Sequence, residues 1–189
     1  MVQAVGRDFD VDTPLVWGEQ IDATMVSRYL EPLEFDCLAP SSPETTRTQD
    51  GYHVAVPDTA LFTMSLPLMW RPGAPPIFLS DERNAIPATA SIGGRLCGLE
   101  PPTTGAFAVQ WDTDFLKSAT IGDRLCRRGL LLVACNPKQT RVGRGAFITW
   151  QSEIINQRLE VLARIRSTLF RYVPAPARDA SLSQARDVE

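Results

Sequence analysis

From Phe147 to Tyr172 the chain alternates apolar and polar positions with the period of a β-strand. The pattern predicts one strand over Phe147–Ile155, a turn at Asn156-Gln157-Arg158, and a second strand over Leu159–Tyr172. In the second strand Leu159, Val161, Ala163, Ile165 and Leu169 take the odd positions, while Glu160, Arg164, Arg166 and Thr168 take even ones. Successive side chains of a strand point to opposite faces, so one face is expected to be buried and the other wet. Gly105–Phe115 alternates too, with Phe107, Val109 and Trp111 on one side and Gln110, Asp112 and Asp114 mostly on the other. A turn at Ile121–Asp123 precedes Leu130–Ala134, a run apolar enough for a buried strand. The second half therefore reads as an antiparallel meander of three or four long strands.

The first half reads differently. Thr13–Gln20 is a short strand candidate, and Ile21 to Phe35 follows as a helix that Asp22 can cap and Pro32 limits. Leu38–Gly51 is rich in Pro, Ser and Thr and reads as a loop. The stretch "VPDTALFTMSLPLMW", Val56–Trp70, is expected to form a helix with Asp58 as N-cap. It is apolar on every side, as a buried helix is, and Pro67 should kink it or cut it short. A long connection rich in Pro and Gly follows, with a candidate strand at Ile77–Leu79. A sheet with one buried face needs something apolar to wrap, and this helix is the one good candidate. The expected fold is α+β, a curved antiparallel sheet around a central apolar helix. It would occupy residues 13–174, between an N-terminal extension (1–12) and a disordered polar tail (175–189).

Composition narrows the function classes. A chain of 189 residues suits one domain, and 44% hydrophobic with 22% charged residues is ordinary for a globular protein. A net charge of −3 gives no electrostatic case for nucleic acid or an anionic membrane. No apolar run approaches the roughly 20 residues of a membrane span. The N-terminus carries early acids and no apolar core, which argues against a signal peptide and for a cytoplasmic protein. Cys37, Cys97, Cys126 and Cys135 contain no CxxC pair and read as reduced, buried thiols, with no metal site expected.

Four stretches carry a resemblance: "IDATMVSRYLEPLEFD", "VPDTALFT", "IGDRLCRRGLLL" and, most specifically, "TRVGRGAFITWQSEIINQRLEVLARIRSTLFRY". In order and spacing the chain resembles the MaoC-like hydratase/dehydratase superfamily, in its FAS1-like (N-terminal half) dehydratase branch. The resemblance covers Pro14–Pro174 and implies a hot-dog fold. It also implies hydration of an enoyl thioester, or dehydration of a 3-hydroxyacyl thioester, carried on coenzyme A or acyl carrier protein, with no cofactor. Catalytic members of the family carry Asp, Asn-Pro and His in close succession. Here the matching region "LEFDCLAPSSPE" holds Asp36 and Pro40, with Ser41 and Ser42 where a base is wanted and no histidine. A serine hydroxyl without an activating base does not replace imidazole. The expected role is therefore the non-catalytic half of a heteromeric lyase of lipid metabolism, shaping the acyl pocket while a second hot-dog subunit supplies Asp and His. The alternatives are a homo-oligomeric hydratase with an atypical base and a thioester-binding scaffold without turnover.

Within that reading Phe62, Ser65 and Met69 are the candidate substrate-pocket residues, because core helix and acyl pocket are neighbours in a hot-dog fold. The basic group Arg124, Arg127, Arg128, Arg141 and Arg144 reads either as a contact for coenzyme A phosphates, with Arg141 and Arg144 as candidates, or as a solvated edge that discourages aggregation. His53, the only histidine, reads as a relocated base or as a histidine without chemistry; no carboxylate is spaced to orient it. Gly143–Gly145 lies between two strands and reads as a turn rather than a phosphate loop.

Overall fold

The alternating segments build one long-stranded sheet. The computed structural model describes residues 1–34, 46–47, 53–54, 56–82, 99 and 102–175. Its elements are β1 (Trp17–Gln20), α1 (Ala23–Leu30), the two-residue strands β2 (Thr46–Arg47) and β3 (His53–Val54), α2 (Leu61–Met64), β4 (Gly105–Phe115), β5 (Arg124–Gln139), β6 (Gly143–Asn156) and β7 (Val161–Pro174). Five strands form an antiparallel sheet in the order β1-β5-β6-β7-β4, and β2 pairs with β3 apart from it. β5, β6 and β7 are the expected meander. β4 lies beyond β7 at the far edge rather than beside β5.

The helices sit where local signals put them, and end sooner than expected. Asp22 caps α1 by accepting a bond from the Met25 amide (2.7 Å), and a 3-10 turn around Pro32 follows. The central helix is a 3-10 turn (Asp58–Ala60) running into α2. Pro57 takes the N-cap position, so Asp58 is the first helical residue and does not cap. The helix stops at Met64 instead of Trp70, leaving Leu68, Met69 and Trp70 exposed. Proline lacks an amide donor and disfavours helical backbone in the residue before it, which ends the helix ahead of Pro67. Ile77–Leu79 forms no strand, and Phe78 and Leu79 are exposed.

Two clusters make the core. In the first, Val26, Ala60, Leu61 and Met64 pack on Leu125, Ile154, Leu162, Ala163 and Ile165 at one end of the sheet. In the second, Met1, Ala4 and Phe9 pack against Leu132, Cys135, Ala146, Ile148 and Trp150 further along it. The N-terminal segment reaches that place by pairing with β5. Gly6 and Phe9 donate their amides to Leu132 and Leu130, and Arg7 accepts from Leu132. The pairing is locked at a bulge in β5, where Gly129 takes φ +79°. Gly129 and Leu130 donate their amides to the carboxylates of Asp10 (3.0 Å) and Asp8 (2.8 Å).

The facing differs from simple alternation in four places. A bulge between Ala108 and Gln110 re-phases β4. Phe107 joins Phe170, Phe147 and Tyr172 on the outer face, while Trp111 meets Phe62 on the inner face. Phe170 is fully buried although it lies on the face expected to be wet, because those three rings cover it. Leu159 lies in the β6–β7 turn, exposed and with φ +62°, and is not on the buried face. Leu130–Ala134 is only half buried, with Leu132 sealed and Val133 turned out. The rest of the outer face is polar as expected: Glu153 pairs with Arg128 (3.0 Å) and Arg164 (3.4 Å) across three strands.

Candidate functional site

Because α2 is short, it covers only one end of the concave face, and the N-terminal segment covers the other. Between them an open groove of about 370 Å³ remains. That size lies within the range of small-molecule sites. β6 contributes Ile148, Trp150 and Ser152 to it, β7 contributes Ile165, Ser167, Leu169 and Arg171, and β4 contributes Ala106, Ala108 and Trp111. The register explains the hollow. Ser167 sits between Trp150 and Trp111 on neighbouring strands, and Leu169 sits beside Ala108. Small residues set the floor between large ones.

Among the described residues no histidine, aspartate or glutamate lines the groove; its charged side chains are Arg127 and Arg171. Ser152, Ser167, Thr168 and Gln110 supply neutral polar groups. Such a lining can hold an apolar group and orient a carbonyl. It offers no acid–base pair to split water across a double bond. One carboxylate atom stands out elsewhere: Asp58 Oδ1 is buried without a hydrogen-bond partner at the head of the central helix. No three His, Cys, Asp or Glu among the described residues are grouped to hold a metal. Cys126 and Cys135 are buried and reduced, and burial pushes the Cys135 thiol above its ordinary value, so it is held protonated.

The residues singled out in the sequence fall in separate places. Phe62 packs edge-on against Trp111 (5.1 Å between ring centroids), with the Arg127 guanidinium 5.8 Å from its ring, so it stands beside two groove residues. Ser65 is buried and donates its hydroxyl to the Phe62 carbonyl (2.7 Å), which closes the end of the helix. Met69 lies past that end, exposed. Arg141 and Arg144 are exposed at the β5–β6 hairpin. Ten residues of β6 separate Arg144 from Ile154, or about 33 Å along the strand, so the arginine pair and the helix residues occupy opposite ends of the sheet. The other basic residues are engaged: Arg124 donates to the Gly18 carbonyl, Arg127 stacks on Phe62 and Arg128 pairs with Glu153. His53 is placed in β3 opposite Arg47. Asp36, Cys37, Pro40, Ser41, Ser42 and Cys97 lie outside the described residues. Gly143–Gly145 opens β6, between two strands.

Sequence reasoning passed over Trp150, Ser152, Ser167 and Arg171. A signal existed. These residues share the inward parity of Ile165 and Ile154, and hydroxyls at Ser152 and Ser167 interrupt an otherwise apolar face. Both serines line the groove.

No protein-family model matches the chain, and no curated protein matches it. Solved structures do. A chain of the ChsH1–ChsH2 complex from Mycobacterium tuberculosis aligns at 13% identity over 87% of this chain and 86% of its own length, with a TM-score of 0.54. A MaoC-like dehydratase from Rhodospirillum rubrum aligns at 18% identity over 92% and 95%, with a TM-score of 0.48. At these identities the likeness is one of fold. The curled sheet with its short buried helix is the hot-dog fold that the sequence resemblance implied.

Proposed function

We propose that this chain is the acyl-binding, non-catalytic hot-dog half of a cytoplasmic (R)-type enoyl-thioester hydratase or 3-hydroxyacyl-thioester dehydratase, completed by a second hot-dog chain that supplies Asp and His. The observation that carries the reading is the concave groove: it is large enough for an acyl group and, among the described residues, lacks a carboxylate or imidazole. The thioester would be carried on coenzyme A or acyl carrier protein. Phe62, with Trp111, would border the acyl group at the helix end; Ser65 and Met69 are further candidates there, and Arg141 and Arg144 candidates for the carrier's phosphates.

The sheet edge supports a partner. β4 is eleven residues long, ends the sheet and exposes Phe107, Val109, Trp111 and Phe115. A long apolar edge left open invites pairing with another chain. One structural neighbour comes from a two-component complex.

Co-expression with a hot-dog chain bearing an intact Asp…His motif tests the proposal. A stable complex is expected, with hydration of crotonyl-CoA or a longer enoyl-CoA requiring both chains. Turnover by this chain alone would point to the homo-oligomeric reading. Thioester binding with no turnover in either state would point to a scaffold.

A further inference from the structure

Arg171 is the one charged residue that β7 turns into the groove. Its neighbours across the sheet are Ala106 on β4 and Ala146 on β6, so methyl groups frame it on both sides. Its Nε donates to Thr103 Oγ1 (3.3 Å), which holds the guanidinium in one orientation and leaves the terminal N–H groups unused by that bond. Among the described residues no carboxylate pairs with it, whereas Arg128, Arg158 and Arg164 all have acidic partners. Six residues of β7 separate Arg171 from Ile165, so the groove floor, apolar except for Ser167, runs about 20 Å from the helix end to this cation.

A guanidinium oriented by one hydrogen bond, framed by alanine and facing an apolar hollow is the complement of an anion on an apolar body. We propose that Arg171 is the anion-binding end of the groove, which takes an elongated apolar group ending in a carboxylate or phosphate. The inference rests on the groove being the acyl site, and it deepens that reading. The anion is either a terminal carboxylate of the acyl group or a phosphate of the thioester carrier. Both present oxygens to the same pair of N–H donors.

The test uses the full chain and the fluorescence of the groove's own Trp111 and Trp150. Decanoate and decanol are titrated into wild-type protein and into Arg171→Gln and Arg171→Lys, each first shown to melt as wild type does. Decanoate is expected to bind at least about tenfold more tightly than decanol to the wild type, the scale of a charge-assisted hydrogen bond. Arg171→Gln should erase that difference by weakening decanoate alone, and Arg171→Lys should retain part of it. Coenzyme A without an acyl group is the second arm. If it displaces decanoate from the wild type, the anion is the carrier's phosphate; if it does not, the anion is the acyl group's own carboxylate. Equal affinity of the two probes for the wild type, or equal weakening of both by Arg171→Gln, overturns the inference while leaving the groove an apolar site. Failure of both probes to bind overturns the inference and the acyl groove with it.

Discussion

The Tyr172 ring lies over Gly105. A β-carbon on Gly105 would stand 2.6 Å from Tyr172 Cζ. The two residues are register partners on β4 and β7, and Gly145 flanks Tyr172 on the β6 side. Tyr172 in turn stacks on the buried Phe170 ring at 5.3 Å. The glycines are therefore not weak points of their strands: their missing side chains are replaced by one aromatic ring that ties three strands together.

Gly105→Ala is expected to destabilise the fold by about 1–3 kcal/mol, the usual cost of forcing a group into filled space. Thermal or urea denaturation reads it directly. Combining it with Tyr172→Ala should recover part of the loss, because the second change removes the atoms that clash. Strictly additive losses would show that the ring does not lie over the glycine.

Acid should loosen the β6–β7 turn. Hydrogen bonds from Asn156, then Lys117, then Arg158 hold the Glu160 carboxyl down at about 2 from its ordinary 4.5. A depressed folded pKa contributes stability that is complete above the unfolded value. That contribution is lost as pH falls from about 4.5 towards 2. Glu160→Gln is expected to be less stable than wild type at pH 7 and to converge with it near pH 2. A constant gap between the two melting curves across that range would show that the carboxylate is not the source.

Asp58 begins the central helix with a buried, unpartnered carboxylate oxygen after an extended Pro57 (φ −63°, ψ 135°). Proline fits the first helical position, and Pro57 already has the backbone that a following proline requires. Asp58→Pro is expected to raise stability by about 0.4–1 kcal/mol. It should leave the turnover of a reconstituted two-chain complex unchanged, since Asp58 does not line the groove. Loss of turnover with unchanged melting would give Asp58 a chemical role and weaken the non-catalytic reading.

Ala108 forms part of the groove's floor on the exposed edge strand, beside Leu169. Ala108→Trp is expected to fill the groove and weaken decanol and enoyl-thioester binding by at least about tenfold. Stability should change by no more than about 0.5 kcal/mol, as for a typical surface substitution. Unchanged binding, measured by titration, would place the acyl group elsewhere.

Much of the fold is written in local signals. Asp22 caps α1, Pro67 ends the central helix, and the stretch Gly105–Phe115 has the same bounds as β4, because capping, ring closure and strand propensity depend on near neighbours. The sharp turn after Asn156 is local as well. The Asn156 side chain accepts the amides of Arg158 (3.0 Å) and Glu160 (3.1 Å) and closes the turn on itself.

What the chain alone determined is thus the long strands and the two main helices, their order and the apolar character of the central helix, all products of side chains within a few residues of one another. What only the tertiary structure decided is which way those elements face and what they leave open. The β4 bulge that sends Phe107 outward and Trp111 inward depends on hydrogen bonds to β7, more than fifty residues away. The outer aromatic cluster exists because register brings Phe107, Phe147 and Phe170 into one row. The groove is the gap between a helix stopped by Pro67 and an N-terminal segment clamped to Gly129 and Leu130 by Asp8 and Asp10. A gap has no residues of its own, so no local pattern announces it. It follows only from where distant parts of the chain come to rest on the same sheet.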